Sequence, residues 1–168
     1  LSGHGGNAGE VGHLTVDPAG AMTCGCGGVG HWEAYCSGRN VPRYAAFLHR
    51  TEGVETDLPV GEVCDPGLDA AAVFDAAGED DLADVVVERV ARFNAAGVAD
   101  VVHAYAPRRV VFGGAVALRN PDAVVGAVRD RLPERLVVDA PRVEPTDNGD
   151  EVVLVGALVG ARRVGEWL

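Results

Sequence analysis

The apolar residues of this chain follow no regular spacing over the first 40 positions, a helical spacing through the middle, and a mixed one towards the end. In the first stretch short elements are expected, such as a strand at His13–Val16; otherwise the segment, crowded with glycine, reads as loops shaped around something. Ala34 to Arg50 suits helix, broken near Ser37–Pro42 and resumed at Arg43–Arg50. Asp69–Ala77 opens with an acid and predicts a short helix. From Asp80 to Ala106, apolar residues from Leu82, Val85 and Val86 through Val90, Phe93, Val98, Val101 and Val102 to Tyr105 recur every three or four positions. Such spacing turns one stripe of a long helix towards a core. Acidic residues at its start suit the positive end of the helix dipole, and Pro107 marks its stop.

Past Pro107 the period changes. Arg108–Phe112 predicts a strand that runs directly into Gly113-Gly114. Asn120-Pro121-Asp122 opens a helix reaching Arg131, with proline in its first turn. A strand at Leu136–Asp139, a polar turn over Glu144–Asp150, a strand at Glu151–Val155 and a small-residue helix ending near Trp167 complete the expectation. This alternation is that of an α/β fold. The longest apolar run, Val152–Ala161, is too short for a bilayer crossing, which takes about 18 to 20 residues. No basic-then-apolar leader opens the chain. A soluble domain, or a large piece of one, is expected.

Composition narrows the function classes. With 48% hydrophobic residues in 168, there is matter for one compact core, which excludes wholesale disorder. Twenty-five acidic residues face 14 basic ones, a formal net charge of −11, and all 14 are arginine. Lysine, isoleucine and glutamine are absent. GC-rich codon usage accounts for the missing isoleucine. The carboxylate surplus without lysine suits a protein kept in solution at high salt by a hydrated acidic surface, and a halophilic source is expected on that ground. The same surplus argues against a nucleic-acid-binding surface, where phosphate contacts need clustered cations.

Three of the four cysteines and three of the five histidines fall in the first 40 residues. Cys24 and Cys26, one residue apart, are too close for a comfortable disulfide, so reduced thiols in a cytoplasm or a metal site are the better readings. His13, Cys24, Cys26 and His31 make a set of two imidazoles and two thiolates suited to tetrahedral zinc. Gly25, Gly27, Gly28 and Gly30 let the backbone bend tightly enough to aim them inwards. Four ligands leave no open position, so the role would be structural. The alternative is unliganded cysteines beside incidental histidines. Glu10 and Glu33 flank this set and could accept hydrogen bonds from a polyhydroxylated ligand; for Glu33, a carboxylate favoured by a helix dipole is the other reading.

The run Gly6-Asn7-Ala8-Gly9-Glu10-Val11-Gly12-His13, then Cys24-Gly-Cys26-Gly-Gly28-Val-Gly30-His31-Trp-Glu33, resembles the signature of the ROK family of repressors, open reading frames and sugar kinases. Val111-Phe112-Gly113-Gly114-Ala115-Val116 resembles that family's second glycine segment. The motifs come in the family's order and spacing across the whole chain. The resemblance implies an actin-like ATPase (ribonuclease H-like) fold with sugar and ATP between two lobes. Residues 1–168 would be the C-terminal lobe, apparently incomplete, with 1–40 as the zinc- and sugar-binding segment and 108–168 as the nucleotide side. It further implies a structural zinc on His13, Cys24, Cys26 and His31, the last usually a cysteine in the family. Sugar hydroxyls would meet Glu10, His13 and Glu33, and ATP with Mg²⁺ would approach Gly113 and Gly114. For those glycines, a plain strand-to-helix turn stays open as the other reading.

Neither the family's Asp-x-Gly-Gly-Thr phosphate loop nor its Asn-Asp pair occurs among the 168 residues. No catalytic residue is therefore expected here; the base would lie in an N-terminal lobe missing from the chain, leaving an exposed sheet edge. The resemblance implies the C-terminal part of a glucokinase-like hexose kinase, cytoplasmic and homodimeric through this lobe. The alternative is the sugar-binding lobe of a ROK-type regulator whose DNA-binding module lies upstream. A degenerate protein kept for zinc-stabilised assembly is a third reading. The acidic composition generates its own prediction: the circular-dichroism fold signal and solubility should rise from low to multimolar salt, and indifference to salt would refute a halophilic origin.

Overall fold

Twenty-five residues, Asp81–Tyr105, form one uninterrupted helix (α4) on which the apolar core is assembled. The computed structural model of the protein describes residues 3–165. Asp80 caps α4, its carboxylate accepting from the amide of Ala83 at 2.9 Å and from the hydroxyl of Thr56 at 2.8 Å. Burial works against that charge, but these bonds and the amide of Asp57 outweigh it and hold the Asp80 carboxyl below its usual range. The expected stripe is present: Leu82, Val86, Val90, Val98 and Val102 are buried, with Val85, Phe93 and Val101 half-buried. Tyr105 falls outside it, 57% exposed. The helix ends at Ala106 in the left-handed region (φ 45°), just before Pro107.

Three shorter helices pack on α4: α1 (Glu33–Cys36), α2 (Val41–Glu52) and α3 (Ala70–Asp75). The break between α1 and α2 falls where the sequence places it. Pro42 sits in the first turn of α2, where its missing N–H has no partner to lose, so the helix resumes at Val41 rather than Arg43. Asp69 caps α3 through the amide of Ala72 at 2.9 Å. The chain then forms β1 (Arg109–Phe112), α5 (Ala115–Arg119), a π-helical turn at Asp122–Gly126 leading into α6 (Ala127–Arg131), β2 (Arg142–Pro145) and α7 (Val152–Gly165). Strands β1 and β2 are parallel, with Arg109 opposite Arg142 and Phe112 opposite Pro145. The architecture is mixed α/β.

Three strand expectations fail, and α5 was not anticipated. At Leu136–Asp139 no strand forms: Val137 is 91% exposed on a surface turn. The pairing strand lies six residues later, where Val143 is buried and Glu144 is held by Arg142 at 2.9 Å and Arg109 at 3.2 Å. Its charged residues and proline disguise it as part of the polar turn, which begins only after Pro145. Thr146 supplies the N–H that proline lacks, donating to the Phe112 carbonyl at 2.7 Å. Glu151–Val155 belongs instead to a 3₁₀ turn (Gly149–Glu151) and the start of α7. Valine favours strand only where a pleated neighbour receives it, and among the described residues no strand lies beside this run. The expected helix end at Trp167 lies outside the described residues. His13–Val16 is not a strand either: His13 closes a 3₁₀ turn (Val11–His13), and Thr15 makes a single antiparallel bridge to His31.

One contact ties the N-terminal loops to the helices. The Tyr35 hydroxyl in α1 donates to Asp17 Oδ2 at 2.5 Å and accepts from the amide of Met22 at 3.0 Å. Asp17 also accepts from the amides of Ala19 and Ala21, each at 3.0 Å. Burial disfavours the Asp17 charge, yet the bonds from Tyr35 and the amides prevail and hold its carboxyl below the usual range. Burial, together with the Asp17 acceptor, pushes the Tyr35 hydroxyl well above its own. A carboxyl depressed by folding contributes stability that is complete above its unfolded value of about 3.9 and is lost as pH falls through the folded value. Tyr35→Phe is therefore expected to cost roughly 1.5–3 kcal/mol at pH 7, as for a hydrogen bond to a charged group. Urea denaturation at pH 7 and pH 3 checks this: the loss should shrink at pH 3, and an equal loss at both would refute the brace.

Candidate functional site

The turn held by Asp17 leads directly into a glycine-rich knuckle. Cys24 N–H donates to the Gly28 carbonyl at 2.8 Å and Gly27 N–H to the Cys24 carbonyl at 2.9 Å, which turns Cys24 and Cys26 towards one another. The bridge between Thr15 and His31 then brings His31 beside the 3₁₀ turn that carries His13. All four candidate ligand atoms of His13, Cys24, Cys26 and His31 come within 4.8 Å of one another. Cys24 Sγ lies 3.7 Å from His13 Nδ1, and Cys26 Sγ lies 3.3 Å from His31 Nδ1. A Cβ at Gly28 would collide with the His31 imidazole, so the absence of a side chain there is what admits the ring.

The chemistry of this cluster suits a metal ion. Cys24 is buried and Cys26 exposed, so one side is closed by protein. Burial pushes the Cys24 thiol up, with the Cys26 and Glu33 charges adding to it, so a thiolate there needs a cation beside it. Two imidazole nitrogens and two sulfurs, without a carboxylate among them, are the donors of a tetrahedral divalent metal. The residues could hold such an ion.

Other expected site residues divide. His13 uses Nδ1 towards Cys24 and presents Nε2 to Glu10, 3.8 Å from Oε2. Glu33 opens α1, close against Gly12. Gly12 and Glu33 line a cavity of about 280 Å³ that Phe112 and Gly113 line as well. The end of β1 and the start of α1 thus share one hollow. Glu10, His13 and Gly114 do not line it: Glu10 is exposed beside His13, and Gly114 (φ 89°) begins α5 with open space around it.

Sequence reasoning missed the residues that hold this hollow open. Trp32 donates its indole N–H to Asn94 Oδ1 in α4 at 2.8 Å, and both line the cavity. A Cβ at Gly97 would collide with the same indole. The available signal was a glycine and an asparagine within a helical stripe, but nothing local names a partner so distant in sequence. Tyr35 and Asp17 were missed for the same reason, although Asp17-Pro-Ala-Gly has the composition of a turn.

Comparison with known proteins bears on this arrangement. Residues 1–163 match the ROK family. A glucokinase of Aeropyrum pernix is 40% identical over all of this chain and 54% of its own length. A Streptomyces griseus ROK glucokinase, solved with glucose and AMPPNP, superposes with a TM-score of 0.73 at 32% identity, over 94% of this chain and 52% of that one. A ROK family transcriptional regulator, described as a homologue of the E. coli MLC protein, superposes at 0.63 with 25% identity, over 86% of this chain and 36% of that one. The chain spans about half the length of the curated relatives it matches. No helix among the described residues is long and apolar enough to cross a membrane. The fold is the actin-like ATPase fold of these structural neighbours, and since the family match runs through nearly every residue, the chain belongs to the ROK family.

Proposed function

We propose that the chain is the C-terminal part of an ATP-dependent hexose kinase of glucokinase type. One observation carries the reading: a single hollow is lined by Glu33 and Gly12 from the metal-cluster side and by Gly113 from the end of β1. A carboxylate able to orient a sugar hydroxyl and a backbone able to approach a nucleotide share this hollow, which supports phosphoryl transfer as its chemistry. The similar glucokinases, one solved with glucose and AMPPNP, support that assignment.

In this reading residues 1–40 are the metal and sugar segment and 108–168 the nucleotide side. His13, Cys24, Cys26 and His31 would hold zinc, which would fix the loop and leave His13 Nε2 and the Glu10 carboxylate to meet sugar hydroxyls, with Glu33 beyond. Glu33 accepts from the sugar and orients the attacking hydroxyl. ATP would come with Mg²⁺, which would supply positive charge against the phosphates. Gly113 and Gly114 give the nucleotide close access to backbone. The base that takes the hydroxyl proton, and the phosphate loop, are assigned to the other half of the enzyme. Four free cysteines suit a reducing cytoplasm, and the resemblance to the ROK family favours a homodimer. The regulator reading keeps a specific support, the 0.63 superposition on a ROK regulator.

Coupled ADP release by the purified chain with glucose, ATP and Mg²⁺ should be silent, and should appear on adding the N-terminal half. Activity of the chain alone would refute the assignment of the base elsewhere; silence in both cases would favour the regulator. Chelation of zinc should lower the melting temperature, because metal-binding free energy is folding free energy; an unchanged melt after complete removal would refute a structural metal. In the complete enzyme, Glu33→Gln should raise the sugar Kd roughly tenfold or more with zinc content intact. Loss of zinc instead would mean that Glu33 serves the metal.

A further inference from the structure

A second hollow, of about 430 Å³, lies on a different face of α4 and shares no lining residue with the first. Arg89, Arg92, Phe93 and Ala96 face it, spaced as one side of a helix, and Phe47 and Tyr44 of α2 close it from across. Arg135 enters from the loop after α6. Three of the 14 cations of this acidic protein thus converge on one cavity.

Their charges are not equally spent. Arg89 is clamped by Glu52, with both guanidinium nitrogens at 2.6 Å from its two carboxylate oxygens. Among the described residues, Arg92 and Arg135 have no carboxylate within salt-bridge distance. Asp17 also borders the cavity, but it is engaged by Tyr35 and two backbone amides. Two available guanidinium forks match the two negative charges of a phosphate monoester. Phe47 and Phe93 offer apolar surface for a ring. Asp17 Oδ1 accepts from the Ala19 amide alone and keeps acceptor capacity for a hydroxyl.

We propose that this cavity binds a phosphate monoester carried on a polyhydroxylated ring, separately from the sugar and metal cluster. The phosphate sits between Arg92 and Arg135, the ring lies against Phe47 and Phe93, and its hydroxyls face Asp17. A sugar phosphate and a nucleoside monophosphate share this chemistry. The cavity volume lies within the range of small-molecule sites, roughly 300–1,000 Å³.

The test is isothermal titration of the intact zinc-loaded protein that carries this chain, at constant ionic strength, with glucose 6-phosphate, AMP, inorganic phosphate and glucose. Micromolar to low-millimolar binding of either ester is expected, and which ester binds more tightly identifies the ring. The double variant R92A/R135A, at two exposed positions, should weaken that binding roughly tenfold to a hundredfold, as expected for lost charged hydrogen bonds. Its zinc content and glucose affinity should stay unchanged. Equal ester affinity in the variant and the parent would overturn the proposal, as would inorganic phosphate binding as tightly as either ester. So would ester binding abolished by Glu33→Gln but untouched by R92A/R135A, because the ester would then occupy the first hollow.

Discussion

The contact between Trp32 and α4 decides where the site can be. The indole presses against the helix backbone at Gly97, where a Cβ would collide with it, and donates to the buried Asn94. Trp32 stands between the last metal-cluster residue, His31, and the carboxylate of Glu33, so the orientation of both follows from how it seats. The same α4 supports α1, α2 and α3, which precede it, and α6, which follows β1. Because a packed interior transmits rather than absorbs a displaced group, shifting this indole would move the metal loop and the first hollow together.

From that anchor outward, the metal loop depends on two further restraints of different character. The Asp17–Tyr35 hydrogen bonds hold the turn before Cys24 and act through protons, so they weaken in acid. The cluster of imidazoles and thiols would act through a cation, whose absence leaves a buried Cys24 favouring its neutral form. Neither restraint contributes much apolar burial. A segment so rich in glycine loses a great deal of backbone entropy on ordering, and without both it has little to offset that loss. The four donors gathered in this loop are placed where a metal ion could supply such a restraint.

Legibility in the sequence followed the range of the interaction. The long helix was readable because its stripe repeats locally and Asp80 caps it within three residues; α3 was readable through Asp69 in the same way. His13, Cys24, Cys26 and His31 were grouped in the sequence by donor type, and the structure brings the four within 4.8 Å of one another. Strand β2 was not readable, since Arg142–Pro145 becomes a strand only by lying beside β1, and its local chemistry is that of a turn. The valine run at the start of α7 erred in the opposite sense: its local preference for strand found no partner. Of the residues expected at the ligands, Glu33 and Gly113 line the first hollow, whereas Glu10, His13 and Gly114 do not. Spacing along a chain does not report which way a cavity opens.

The distribution of charge adds a constraint that local geometry does not. Most arginine–carboxylate contacts here are at the surface, such as Arg50–Glu62 and Arg89–Glu52, and Arg131–Glu88 joins α4 to α6 in the same manner. Exposed pairs of this kind are each worth up to about 1 kcal/mol and are screened by salt. If the acidic surface is an adaptation to concentrated salt, these pairs hold little under the conditions where the protein works. Stability must then rest on the valine- and alanine-lined core around α4, which salt strengthens, and on the metal loop. The absence of lysine has the same sense. Arginine keeps its hydrogen-bonding fork useful when bare Coulomb attraction is screened, and it is by geometry rather than long-range field that Arg89 and Arg131 knit the helices together.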